Sequence, residues 1–180
     1  FATSQTVNGV INWQSLFRDT GTVGGINPTT YAWWKAKYDN TAEPLTVEDM
    51  FDIYNQAGGG SDNPDVVVTG RALFQKYNSL LQTQQRFTST DMASAGFETL
   101  KFHGADMFFD EQAIADEVWF INSKYLYLGA LPEMTKSFKV TPFERMTSNG
   151  QLGQVSLVSF MGQYVLTNRR RLGALDGRTA

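Results

Sequence analysis

The apolar residues of this chain alternate between helical and strand spacing early and then settle into short strands, and that order limits what it can fold into. From Leu45 to Ala57 they follow helical spacing, with Val47, Met50, Phe51, Tyr54 and Ala57 on one face. Thr46 and Asp49 make a capping-box variant at the start, and Gly58-Gly59-Gly60 stops the helix. After a turn at Ser61-Asp62-Asn63-Pro64, the β-branched run Asp65 to Thr69 reads as a buried strand. A second helix follows Gly70 and runs to about Gln84, with Leu73, Phe74, Tyr77, Leu80 and Leu81 as its stripe. From Phe97 onward the pattern is one of short strands. These are Thr99–Phe102, Ala105–Phe109, Glu117–Asn122 and Tyr125–Leu128, one near Phe138–Phe143, and a final pair, Val155–Met161 and Gln163–Thr167, hinged at Gly162. His103-Gly104 and Asn149-Gly150 are turn signals. The expected class is α+β: an antiparallel, meandering sheet with a few flanking helices.

The first 25 residues are polar, and Gly21, Gly24 and Gly25 interrupt them. They read as an arm or linker with a short helical piece near residues 12–18. Residues 26–180 then form the α+β domain. Within it, Trp33 and Trp34 are adjacent. Neighbouring side chains point to opposite faces of a strand, so one is expected to be buried and the other to lie on an edge or a partner.

With 42% hydrophobic and 13% aromatic residues, the 180-residue chain has enough apolar surface to fold. A net charge of -3 gives no overall field favouring nucleic acid or anionic membrane. No apolar run approaches the ~20 residues that span a bilayer, so no membrane partner is expected. The opening Phe1-Ala2-Thr3-Ser4 lacks a basic region, an apolar stretch and an initiator Met. The chain is therefore expected to be a fragment or a processed product without a signal peptide.

Catalytic signatures are few. With no cysteine there is no disulfide, Cys nucleophile or thiolate metal site. The single histidine, His103, reads as a turn residue; alone it makes a poor metal site, and no Gly-x-Ser-x-Gly elbow accompanies it. Asp106, Asp110, Glu111, Asp116 and Glu117 cluster along the chain, but a glycosidase needs two carboxylates that face each other. Asp62 and Asp65 have the wrong spacing for an EF-hand, and Gly58-Gly59-Gly60-Ser61 lacks the ending of a phosphate loop. No cofactor, metal or catalytic residue is expected. Two features read as binding surfaces: Trp33 and Trp34, with Tyr31 and Tyr38, and the basic run Arg169, Arg170 and Arg171. The arginines could contact nucleic acid or pair with the 106–117 acids of a neighbouring subunit.

Four segments in order resemble the major capsid proteins of tailed phages with the HK97-type fold. They are Gly24 to Trp34, Leu45 to Thr69, Val118 to Leu126 and Gly162 to Gly173. The resemblance covers most of residues 22–175 and implies the later part of such a subunit, the axial domain with part of the peripheral domain. It departs from the family in length: members usually have an N-terminal arm, an extended loop and a long spine helix ahead of this region, this chain has no long helix of that kind, and no cross-linking residue can be matched. It implies a structural protein, not an enzyme, that assembles with copies of itself into pentamers and hexamers of an icosahedral shell. Scaffold, portal or decoration proteins would be further partners, and packaged DNA would be met on the inner shell surface without sequence specificity. The implied location is the virion, after synthesis in the host bacterial cytoplasm. Trp33, Trp34, Arg169, Arg170 and Arg171 are the expected subunit-interface residues. The alternative reading is a β-rich carbohydrate- or host-binding module that uses the exposed aromatic residues.

Overall fold

A computed structural model describes residues 13–82, 100–130, 139–146, 153–159 and 162–180. The chain forms two compact units, Phe1–Leu126 with Leu166–Ala180, and Tyr127–Val165.

The first unit is built on a six-stranded sheet. In chain order its elements are α1 (Trp13–Phe17), a 3-10 turn (Ala32–Trp34), β1 (Lys37–Asp39), α2 (Val47–Ala57), β2 (Val66–Thr69) and α3 (Arg71–Gln82). Next come β3 (Leu100–Phe102), β4 (Ala105–Phe109) and β5 (Val118–Ile121). A second 3-10 turn (Arg169–Arg171) and the closing strand Gly173–Leu175, β12, complete it. The strand order is β1-β12-β5-β2-β4-β3. The α+β class holds, but the sheet is mixed and not a sequential meander. β12 from the end of the chain enters between β1 and β5, and β2 enters between β5 and β4. The β1–β12 and β2–β4 pairs are parallel, and the other three pairs are antiparallel. A parallel neighbour needs a crossover, and α3 lies in the one that joins β2 to β4.

The helices form where the apolar spacing predicts. The Thr46 hydroxyl oxygen accepts from the Asp49 backbone N–H at 3.2 Å and caps α2. Ile53 joins Met50, Tyr54 and Ala57 on its buried face. Successive residues of β5 alternate between two cores. Val118 and Phe120 pack with α2 and α3, alongside Val67, Met107 and Leu175. Trp119 and Ile121 pack with Leu16, Phe17, Val23, Leu172 and Ala174 on the opposite face. His103 and Gly104 have φ of 47° and 93°, the left-handed pair that joins β3 to β4 in a tight hairpin. The hydroxyls of Tyr54 and Tyr77 donate to the His103 and Lys101 carbonyls, each at 3.1 Å, and tie both helices to that hairpin.

Among its described residues the second unit forms two-stranded ladders. They involve β6 (Leu126–Ala130), β7 (Lys139–Val140), β8 (Glu144–Met146), β9 (Gly153–Val155), β10 (Val158–Ser159) and β11 (Gly162–Leu166). Their pairing nests: β6 with β11, β7 with β10, and β8 with β9. Of the expected strand near Phe138–Phe143 only β7 forms, with β8 starting just after it, and Val155–Met161 holds the last residue of β9 and then β10. Gln84, Phe97, Thr99, Phe138, Phe160, Met161 and the Asn149-Gly150 turn lie outside the described residues.

Candidate assembly site

The two features singled out in sequence meet in the fold: the 3-10 turn that holds Trp33 and Trp34 lies against the one that holds Arg169, Arg170 and Arg171. The tryptophans divide as expected, although a tight turn and not a strand separates them. Trp34 is buried at 6% exposure, and its indole N–H donates to the Val23 carbonyl at 3.2 Å. Trp33 is 58% exposed and stands 6.1 Å from the ring of Tyr31, itself 49% exposed.

The three arginines have three environments. Arg169 is fully buried, and its guanidinium donates to the carbonyls of Ser15, Leu16, Arg18, Thr20 and Gly21. That ring of oxygens holds the chain around α1 against the sheet. Burial pulls the Arg169 pKa down to about 10, while nearby Asp19 favours the charged form. Arg171 is half-buried; it donates to the Ala57 carbonyl at 3.4 Å and lies 3.9 Å from the Asp62 carboxylate. Arg170 is exposed.

Sequence reasoning missed two further charged networks, because their members lie far apart in the chain. Arg178 is buried and joins Glu43 at 2.6 Å and Asp49 at 3.0 Å, with Asp39 as a third partner. Arg18 bridges Glu117 at 3.0 Å and Asp176 at 2.8 Å. Glu117, only 4% exposed, also accepts from the Gln14 amide at 2.8 Å and the Trp119 indole at 2.6 Å. Its pKa is raised: burial dominates, opposed by the Trp119 and Gln14 hydrogen bonds and by Arg18. Tyr38 donates to Asp176, and burial pushes its pKa up as well.

Four of the five clustered acids have separate partners. Asp106 pairs with Lys101 at 3.0 Å, Glu111 pairs with Arg71, and Asp110 accepts from the Gln112 N–H at 2.8 Å. Glu117 belongs to the buried network described above. His103 packs its ring against Phe51, with centroids 4.1 Å apart. Asp62 accepts from Tyr125 and from Asn122 at 3.2 Å, and these two bonds hold its pKa below the usual carboxylate range. Among the described residues no group of three or more His, Cys, Asp or Glu side chains could hold a metal ion. The charged groups are arranged to lock loops onto the sheet.

Most of the exposed large apolar residues among those described lie in the second unit. Tyr127, Leu128, Val140, Phe143, Val155, Leu157, Val158 and Tyr164 are exposed there, eight of the eleven exposed large apolar residues among those described. No described residue from Tyr127 to Val165 is buried.

No protein-family model matches the sequence, and no curated protein matches it. The backbone, however, is similar to the capsid asymmetric unit of cyanophage A-1(L), with a TM-score of 0.61 and 16% identity over 89% of this chain and 55% of that one. It is also similar to the holo-SrpI encapsulin complex from Synechococcus elongatus PCC 7942, with a TM-score of 0.58 and 11% identity over 79% of this chain and 52% of that one. The fold is HK97-like. This chain spans about half the length of both matched chains. The HK97-like sheet and its flanking helices are the part that places the paired 3-10 turns on one end of the strands.

Proposed function

We propose that the chain is a structural, self-assembling subunit of a protein shell, and more specifically a major capsid subunit of a tailed phage. The observation that carries this reading is the second unit. Two-stranded ladders are marginally stable alone in water, and here they expose eight large apolar side chains with no buried residue among those described. A closed shell covers such surfaces with repeated copies of one chain under rotational symmetry. The HK97-like fold, shared with a phage capsid and an encapsulin, supports a shell over a catalytic role. The buried charged networks act in the same direction, since they fix loop positions.

In this reading residues 26–180 correspond to the axial domain with part of the peripheral domain, and the segment before them contributes Leu16, Phe17 and Val23 to the core of the first unit. The partners are further copies in pentamers and hexamers, with scaffold, portal or decoration proteins, and packaged DNA at the inner surface. The location is the virion, with synthesis in the host bacterial cytoplasm. Light scattering on a size-exclusion column, with negative-stain electron microscopy of the peaks, tests it. Rings of five or six, or closed shells, are the expected result. A monomer at every concentration, with tryptophan fluorescence quenched saturably by one glycan, would replace this reading with a carbohydrate-binding module.

A further inference from the structure

The assembly reading leaves open which surfaces of the first unit meet, and the geometry points to one pair. We infer that the end of the sheet bearing Trp33 and Arg170 docks, head to tail, on Asp116 of a second copy; this rests on the assembly reading above.

Three observations converge on this pair. First, Arg170 is exposed, and it is the arginine of the first unit whose side chain has neither an ion pair nor a hydrogen bond among the described residues. Arg18, Arg71, Arg169, Arg171 and Arg178 all have partners. Second, each exposed group stands beside a buried anchor. Trp33 adjoins Trp34, and Arg170 adjoins the caged Arg169. Asp116 is likewise exposed, with no partner for its carboxylate among the described residues, and adjoins the buried Glu117. Its own carbonyl accepts from the Arg178 N–H at 3.0 Å, and Ala115 packs over Gly70, where an added Cβ would lie 3.0 Å from the Ala115 Cα. All three groups therefore sit on backbone that is already fixed, and such preorganisation lowers the entropy lost on binding. Tryptophan and arginine are also the residue types enriched among dominant interface contacts.

Third, Arg170 and Asp116 lie at opposite ends of the same strands. Lys37 pairs with Gly173, so both 3-10 turns precede that end of β1 and β12. Leu175 pairs with Val118, so Asp116 precedes the other end of the antiparallel β5. At roughly 3.3 Å per residue, the three paired residues put the length of the strands between the two groups. Their opposite charges are therefore directed at two different neighbours. A contact between different patches of identical chains is heterologous, and it closes into a ring when its rotation permits.

The test is a charge swap in the full chain, read by mass photometry and analytical ultracentrifugation. Arg170→Glu and Asp116→Arg each place like charges together, and each should raise the concentration for half-assembly by about tenfold or more. The double variant Arg170→Glu with Asp116→Arg should restore assembly, and the wild-type contact should weaken as salt rises from about 0.05 M to about 0.5 M. Single variants that assemble like the wild type overturn the pairing and leave the shell reading intact. Single defects that the double variant fails to rescue also overturn it. A wild-type chain that stays monomeric at every concentration overturns both readings.

Discussion

Arg169 is the side chain whose loss should cost most. Its guanidinium satisfies five backbone carbonyls between Ser15 and Gly21, and a lysine ammonium has three donors and no fork. Arg169→Lys should therefore destabilise the first unit by about 3 kcal/mol or more, since each buried carbonyl left unpaired costs about 1–3 kcal/mol. Urea denaturation followed by tryptophan fluorescence measures this, and a loss below about 1 kcal/mol would show that water replaces the guanidinium. Glu117 yields a pH prediction of definite sign. Its folded pKa is raised by burial, so the folded state binds more protons than the unfolded state between the ordinary carboxylate value and the raised one. Its contribution is thus most favourable at low pH and declines as pH rises through that window. Glu117→Gln should flatten this part of the stability–pH curve while the neutral side chain keeps partners in Gln14 and Trp119; an unchanged slope would assign the titration to another group. Neither role is legible in the sequence. A triple-arginine run reads as an exposed binding surface, and Glu117 reads as one of five clustered acids. Burial is decided by strands β1, β5 and β12, which come from three distant parts of the chain.

At the scale of elements, the division between legible and illegible follows sequence separation. α2, α3, β2, β4 and the β3–β4 turn were expected nearly where they occur, because periodicity, a Thr46 cap and a His-Gly turn are local signals. β1 and β12 were not expected, since each is three residues long and acquires its strand character from pairing with the other. Gly173 shows how close that packing is: an added Cβ would lie 2.6 Å from the Ile53 Cγ2 atom on α2. Gly173→Ala should therefore separate α2 from β12 and cost about 1–3 kcal/mol, as overpacking does. The cause is tested by a double-mutant cycle with Ile53→Ala, which removes the opposing methyl. The two losses should be less than additive by at least about 0.5 kcal/mol, whereas simple additivity would place the strain elsewhere.

At the scale of the whole molecule, the first unit is finished and the second is not. The sheet has a core on each face, and its two buried arginines take their hydrogen-bond and ion-pair partners from their own chain, Arg178 Nε alone lacking one. The ladders of Tyr127–Val165 show no such closure among the described residues, and nothing in their sequence warned of it. Alternating apolar residues look alike whether the chain or a neighbour covers them. If copies of the chain supply the cover, Phe143→Ser with Leu157→Ser should abolish assembly and raise the solubility of the monomer, since the two are 74% and 62% exposed. All four tryptophans, Trp13, Trp33, Trp34 and Trp119, belong to the first unit, so their near-ultraviolet signal reports on that unit alone. The signal should be unchanged in the variant. Burial of apolar surface carries a negative heat-capacity change and little salt dependence, whereas a contact through Arg170 and Asp116 weakens as salt rises. Calorimetry of association at two ionic strengths therefore separates the two contributions. Wild-type assembly with a negligible heat-capacity change, or a double-serine variant that still forms shells, would show that the apolar face of the second unit is not what drives copies together.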